Sequence, residues 1–117
     1  MSTATILDVE TTGIDEPDVI ELAWMGPIHA FTPPDQSIEQ RRFKPRKPIA
    51  LGAMAAHHIF DEELASEPEW SGSWMPPGEY LIGHNCDYDW KAIGSPPMKR
   101  ICTLALSRRL WPDLDSH

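Results

Sequence analysis

The chain has 117 residues, enough for one domain with a modest core, and its apolar and charged fractions, 41% and 24%, are ordinary for a globular protein. Its formal net charge of −8 excludes binding to nucleic acid through a bulk positive field. No apolar run could span a bilayer, the amino terminus lacks a secretory pattern, and Cys86 and Cys102 lie far apart without metal-ligand spacing. We therefore expect a cytoplasmic protein with reduced thiols and no membrane partner.

The first predicted element is a short strand at residues 5–13 that carries two carboxylates and breaks at Gly13. Alternate side chains of a strand share a face, so Asp8 and Glu10 point the same way and Val9 points the other way. Acids about 7 Å apart repel by roughly 2 kcal/mol at an effective dielectric of about 20. A divalent cation would remove this cost, and carboxylate oxygens suit Mg²⁺ or Mn²⁺. The alternative is an exposed edge strand with two solvated acids.

Residues 19–25 predict a second, mostly buried strand, closed by Gly26 and Pro27 and paired with the first as an antiparallel hairpin. A loop is expected over residues 28–37 and a weakly amphipathic edge strand over residues 38–44, ended by prolines. Every charged residue before position 41 is acidic, and a basic run follows: Arg41, Arg42, Lys44, Arg46 and Lys47. This run is either a local stripe that contacts phosphates or an edge protected from aggregation by its charges.

Residues 50–59 favour a helix, which continues or restarts at residues 61–64. Adjacent residues on a helix point about 100° apart, so His57 and His58 cannot both bind one metal, and we interpret them as helix-end or packing residues. A connecting loop is expected over residues 66–78. Its Trp70 and Trp74 either flank a groove or, more commonly for tryptophan, anchor the core.

The last third of the chain predicts a short buried strand at residues 79–82, followed after Gly83 and Asn85 by a helix that runs to Ile93. Another short strand is expected at residues 100–102, with Thr103 capping a helix over residues 104–110. Strands first, and then strands alternating with helices, indicate an α/β domain with a mixed sheet.

Two blocks of sequence, residues 8–13 (DVETTG) and 84–89 (HNCDYD), stand about 75 residues apart in this order. Together they resemble the motifs of the DEDD superfamily, specifically the DnaQ-like, DEDDh-type 3′–5′ exonucleases, and above all the exodeoxyribonuclease X and proofreading-subunit branches. Residues 56–59 and 102–110 are similar to the same family. The resemblance implies a ribonuclease H-like fold, in which helices flank a mixed sheet, and it covers residues 1–117 as one exonuclease domain.

The resemblance also implies a function: metal-dependent hydrolysis of phosphodiester bonds at the 3′ end of DNA, with release of nucleoside monophosphates, in DNA repair or proofreading. Two ions, Mg²⁺ or Mn²⁺, would activate water and stabilise the leaving 3′ oxygen. Three acids match the catalytic and metal-binding positions: Asp8, Glu10 and Asp89. Five residues match substrate-binding positions: Thr11, Thr12, Gly13, His84 and Asn85. The implied partner is the 3′ end of single-stranded DNA.

Two alternatives remain open. The first is an RNA-trimming, oligoribonuclease-like enzyme, because the same motifs serve such enzymes. The second is a catalytically silent module that binds a nucleic-acid end or a polymerase. The family's third motif, a histidine followed five positions later by an aspartate on a final helix, does not occur before His117. We expect a C-terminally truncated exonuclease domain, with little turnover by this chain alone and with self-association through uncovered apolar surface.

Overall fold

The computed structural model of the chain describes residues 2–33 and 36–117. It contains five strands and three α-helices, with one short 3₁₀ helix, within those residues. Their bounds in chain order are β1 Ala4–Thr11, β2 Val19–Ile28, β3 Glu39–Arg42, α1 Leu51–His57, the 3₁₀ helix Asp61–Leu64, β4 Tyr80–Gly83, α2 Cys86–Ala92, β5 Lys99–Cys102 and α3 Thr103–Leu110. None of the helices described is long and apolar enough to cross a membrane.

The strands form one mixed sheet in the order β3-β2-β1-β4-β5. β1 and β2 pair as the predicted antiparallel hairpin, and β3 adds to the edge of β2. On its other side β1 pairs in parallel with β4, which pairs in parallel with β5. The predicted α/β fold with a mixed sheet is therefore confirmed, and the strand that carries Asp8 and Glu10 lies at its centre.

One face of the sheet supports the main core. Leu7 and Val9 of β1 pair with Trp24 and Leu22 of β2, and all four side chains are buried. Ile93, at the end of α2, packs against them with Trp70, and Trp74 contacts Trp24 with ring centroids 4.9 Å apart. The two tryptophans of the 66–78 loop therefore anchor the core, which is the commoner of the two predicted uses. Burial of this face leaves Asp8 and Glu10 on the opposite one.

Several predicted boundaries were wrong, and those of the strands were wrong because pairing between strands outweighs local signals. β2 does not close at Gly26 but continues to Ile28, where it pairs with Ala4 across a register shift. The following loop begins after Ile28, and the expectation for residues 34 and 35 falls outside the described residues. The edge strand is shorter than predicted, at Glu39–Arg42. α1 ends at His57 because His58 takes a left-handed conformation, and the chain then restarts as the 3₁₀ helix.

The predicted cap of the last helix was also wrong. Thr103 is the first helical residue of α3, and the capping position belongs to Cys102. The Thr103 hydroxyl instead donates to the carbonyl oxygen of Gly83 at 3.3 Å and lies 3.0 Å from Nδ1 of His84. Thr103 thus joins the start of α3 to the end of β4, where the second motif begins.

Candidate active site

The candidate site forms where β1 runs past its parallel neighbour. The pairing of β1 with β4 reaches Ile6 and Ile82, and β4 ends at Gly83, so the following residues of β1 lack a strand on that side. α2 begins just beyond this point. Its Asp89 accepts a hydrogen bond at Oδ1 from the backbone N–H of Val9, at 3.2 Å. The second sequence block is thereby joined to the first, midway between Asp8 and Glu10 along the strand.

Asp89 is 5% exposed, and burial raises the pKa of its carboxyl to about 7. The carboxyl groups of Asp8 and Glu10 raise this pKa further, whereas the Val9 amide opposes the shift. Burial also raises the pKa values of Asp8 and Glu10, with further contributions from Glu21 to the former and Asp8 to the latter. The charged form of each of the three acids is therefore destabilised by burial and by at least one neighbouring carboxylate.

These acids suit a hard divalent cation by their chemistry, because carboxylate oxygens are its preferred ligands and a positive charge would relieve the raised pKa values. In the geometry of the described residues, however, no three His, Cys, Asp or Glu side chains come close enough to enclose a metal ion. A closed metal cluster of Asp8, Glu10 and Asp89 thus stays a prediction.

A cavity of about 690 Å³ adjoins Glu10 on one side, within the usual size range of ligand pockets. Its wall combines the first motif with α1 and one residue of α2. Its lining includes Glu10, Thr11, Thr12, Gly13, His57 and Tyr88. The first motif therefore contributes both a carboxylate and the wall of a pocket next to it.

Thr11 and Thr12 are buried, and their hydroxyls are engaged within the protein. The Thr11 hydroxyl donates to the carbonyl oxygen of Gly13 at 3.0 Å and contacts the hydroxyl of Tyr88. Thr12 Oγ1 accepts from the backbone N–H of Asp18 at 3.0 Å. A Cβ at Gly13 would lie 3.3 Å from the Cβ of Ala50, so glycine lets the motif pack closely against the start of α1. The threonines shape the pocket wall, and their roles toward a nucleotide stay predictions.

His57 closes the pocket from α1. Its Nδ1 accepts from the backbone N–H of Ile59 at 3.0 Å, so the proton of the neutral ring sits on Nε2, which donates to the carbonyl oxygen of Thr11 at 3.1 Å. This contact confirms the packing interpretation of His57 and places the residue beside Glu10. His58 is exposed and adopts the left-handed conformation that ends the helix.

His84 and Asn85 are exposed at the junction of β4 and α2, the helix that carries Asp89. They are not among the residues that line the 690 Å³ cavity. His84 is oriented by the Thr103 hydroxyl, and Asn85 takes the left-handed conformation that starts the turn into α2. Their predicted position near a scissile phosphate remains a prediction.

Sequence reasoning missed two residues that belong to this region. Glu21 is the register partner of Glu10 in the hairpin and lies on the same face, where the guanidinium of Arg42 holds it at 2.7 Å. Alternation along β2 was a signal for it, but the register of the hairpin was unknown. Tyr88 donates from its hydroxyl to the carbonyl oxygen of Gly13 at 2.8 Å. Its only signal was an aromatic residue directly before Asp89.

Most side chains of the basic run contact other groups of the protein itself. Arg42 also contacts Glu63 at 3.3 Å, and Arg46 donates to the carbonyl oxygen of Trp70 at 2.9 Å. The Lys47 ammonium donates to the carbonyl oxygen of Glu16, and Arg41 lies over the ring of Trp24. These contacts favour the interpretation of residues 39–42 as a charged edge strand over that of a phosphate-binding stripe.

A scan against protein-family models finds no match. Among curated proteins, the chain is 31% identical over 112 residues to exodeoxyribonuclease 10 of Escherichia coli K12, and equally to that of E. coli O6:H1. The alignment covers 93% of this chain and 49% of the relative, so the chain spans about half the length of the curated relatives it matches.

Among solved structures, exonuclease X in complex with 5′ overhanging duplex DNA superposes with a TM-score of 0.75 at 27% identity, over 97% of this chain and 68% of that chain. The zinc-bound complex of E. coli exonuclease I with single-stranded DNA gives a TM-score of 0.74 at 17% identity, over 97% and 31%, which shows likeness of fold alone. The fold is thus that of the ribonuclease H-like exonucleases, and over most of its length the chain is similar in sequence to exodeoxyribonuclease 10.

Proposed function

We propose that residues 1–117 form one exonuclease domain, which removes nucleotides from the 3′ end of DNA by metal-dependent hydrolysis. The observation that carries the proposal is the buried carboxyl of Asp89, held by the Val9 amide between the two acids of β1. A buried acid with a pKa near 7 beside two further acids costs stability and is typical of a functional site. Nucleoside monophosphates are the expected products.

In this proposal Asp8, Glu10 and Asp89 hold Mg²⁺ or Mn²⁺. When bound, the metal supplies an activated water and neutralises charge on the leaving 3′ oxygen. The cavity beside Glu10 takes the terminal nucleotide, which contacts the first motif through Thr11, Thr12 and Gly13. Tyr88 and His57 keep that segment in place by their hydrogen bonds to its carbonyl oxygens.

His84 and Asn85 approach the scissile phosphate from the start of α2 in the same proposal. The relatives support DNA as the substrate, since one is an exodeoxyribonuclease and the exonuclease X structure contains 5′ overhanging duplex DNA. The proposal places this removal of 3′ nucleotides in the cytoplasm, in DNA repair or proofreading.

The test is a digestion of single-stranded DNA labelled at its 5′ end. The proposal assigns no general base among the described residues, and general-base help alone is commonly worth about 10²–10⁴-fold, so slow turnover is expected. The assay therefore uses enzyme in excess over DNA, with Mg²⁺, Mn²⁺ or chelator, and with Asp8→Ala beside Asp115→Ala, a matched control at an exposed position that does not line the cavity. Metal-dependent shortening from the 3′ end by the parent and by Asp115→Ala, but not by Asp8→Ala, is expected.

An RNA strand of the same sequence, run in parallel, distinguishes RNA trimming from the proposed DNA preference. The second candidate function, a silent module that binds nucleic-acid ends or a polymerase, is favoured by one observation, namely that no three candidate ligands among the described residues enclose a metal. That candidate predicts binding of the labelled DNA without shortening in either metal. Such a result, repeated at the highest enzyme excess, contradicts the proposed hydrolysis.

A further inference from the structure

Two cysteines outside the candidate site meet at the junction of the parallel strands and their helices. Cys86 is the first residue of α2 and is 1% exposed, whereas Cys102 ends β5 and is half-buried. Both are free thiols. Helix α2, a loop and strand β5 separate them along the chain, so the fold and not the local sequence brings them together.

The backbone geometry explains the contact. Gly83 and Cys102 are register partners in β4 and β5, which places their Cα atoms about 4.8 Å apart. A Cβ at Gly83 would lie 3.1 Å from the Cβ of Cys86, so Cys86 folds back over the end of β4 toward the neighbouring strand. A side chain at position 83 would press on Cys86 and on the carbonyl oxygen of Leu7. The Cys102 thiol lies close enough to Cys86 to contribute to the raised pKa of Cys86.

The two thiols differ in reactivity. The backbone amide of Ala105, in the first turn of α3, lowers the pKa of Cys102, and amides of Cys86 and Asn85 act in the same direction. Burial raises the pKa of Cys86 to about 11, as does the adjacent Cys102 thiol. The charges near Cys86 oppose each other, since Asp87 raises its pKa and Arg100 lowers it. A half-buried thiol with a lowered pKa beside a buried thiol with a raised pKa is the arrangement of an attacking and a resolving cysteine.

We propose that Cys102 and Cys86 form a thiol-oxidation site, in which Cys102 reacts first with a low-molecular-weight disulfide and Cys86 then resolves the product to an internal disulfide. In the first step the Cys102 thiol loses its proton to solvent and its sulfur attacks one sulfur of the reagent. The reagent S–S bond breaks, and one thiolate leaves and takes up a proton from solvent. In the second step Cys86 loses its proton to solvent and attacks the Cys102 sulfur, and the second thiolate leaves. Two protein thiols are oxidised and one small disulfide is reduced to two thiols.

The two cysteines lie next to residues of the second motif, residues 84–89, and of the segment that contacts it. Cys86 follows Asn85, and Cys102 precedes Thr103, whose hydroxyl orients His84. An internal disulfide would therefore join the two chain segments that carry these residues. This inference stands on the thiol geometry and is independent of the proposed nuclease activity.

The test follows the mass of the native protein during incubation with oxidised glutathione, after quenching with acid. The parent is expected to pass through a single glutathione adduct to a species that has lost two hydrogens. Cys86→Ser is expected to stop at the adduct on Cys102, and Cys102→Ser to react at least about tenfold more slowly than the parent. In urea the two thiols lose these differences, which provides the matched control for both variants, and circular dichroism checks that each variant is folded.

Three results would overturn the proposal. One is adduct formation by Cys102→Ser at the parent's rate, and another is an adduct in the parent that never resolves. The third is a lack of reaction in the folded parent while both thiols react in urea. Because each variant is compared with its own urea-unfolded form, a loss of folding in one serine variant leaves the other and the parent to decide.

Discussion

At the scale of single residues, Asp89 carries the largest electrostatic cost. Its pKa is raised in the folded chain, so between about pH 4 and about pH 7 the folded state binds more protons than the unfolded state does. Stability supplied by the protonated form is therefore present at low pH and is lost as the pH rises through about 7. Asp8 and Glu10, whose pKa values are also raised, contribute in the same direction.

Replacing Asp89 with asparagine should flatten this pH dependence. The asparagine side chain keeps an oxygen that accepts the Val9 amide but has no proton to lose, so the stability of Asp89→Asn should fall less between about pH 5 and about pH 8. Urea unfolding in chelator at the two pH values measures the difference. An equal fall in parent and variant would show that Asp89 is not the titrating group.

Asp8→Ala tests the repulsion on β1. Removing one of several acids on this face relieves its neighbours, so the free energy of unfolding without metal should stay level or rise by up to about 1 kcal/mol. Asp15→Ala, in the exposed turn after the first motif, serves as the matched loss of a charge. Thermal unfolding in chelator compares the three proteins. A loss of several kcal/mol for Asp8→Ala alone would make Asp8 a structural residue.

At the scale of elements, the sequence was sufficient for the hairpin, the order of strands and helices, and the two motif blocks, because each depends on local alternation and turn residues. It did not show that β2 continues past Gly26 or that Glu21 faces Glu10. Both depend on the register between strands. The geometry of the connecting turn fixes this register, and the sequence did not reveal that geometry. The contact of His57 with Thr11 was also out of reach, since it joins a helix to a strand 46 positions away.

The edge strand β3 gives a prediction about Arg42. Its guanidinium holds Glu21, whose side chain is only 18% exposed, on the face that Asp8 and Glu10 occupy. Arg42→Gln leaves this half-buried acid unpaired and should lower the free energy of unfolding by about 1–3 kcal/mol. Lys44→Gln removes the same charge at an exposed position and should cost less than about 0.5 kcal/mol. If urea unfolding shows the same loss of unfolding free energy for Arg42→Gln and Lys44→Gln, the pairing of Arg42 with Glu21 does not stabilise the fold.

The same strand predicts the salt dependence of DNA binding. Each phosphate contact adds about one to the slope of log affinity against log salt, and Arg42 is already paired within the protein. Neutralising Arg41 and Arg42 should therefore leave the slope nearly unchanged in fluorescence anisotropy with labelled single-stranded DNA. A decrease of the slope by about one or two would instead show that Arg41 and Arg42 contact phosphates, and β3 would then be part of the DNA-binding surface.

At the scale of the whole molecule, apolar surface lies uncovered on one side. No residue of α3 is buried, and its Leu106 and Leu110 are 47% and 63% exposed, as are Trp111 and Leu114 beyond it at 57% and 53%. We expect concentration-dependent association of the chain. Sedimentation of the parent beside the Leu106→Ser, Leu110→Ser double variant tests this, with weaker association expected for the variant. A monomeric parent at high concentration would be inconsistent with it.

The central claim is that Asp8, Glu10 and Asp89 bind a divalent metal, and Mn²⁺ titration by calorimetry tests it most directly. The parent and Asp15→Asn should bind Mn²⁺, whereas Asp8→Asn and Asp89→Asn should bind at least about tenfold more weakly. Because Asp89 must lose its proton, binding to the parent should release more protons at about pH 6 than at about pH 8, which buffers of different ionisation enthalpy reveal. Equal affinity in all four proteins, or no Mn²⁺ binding by the parent, would contradict the account.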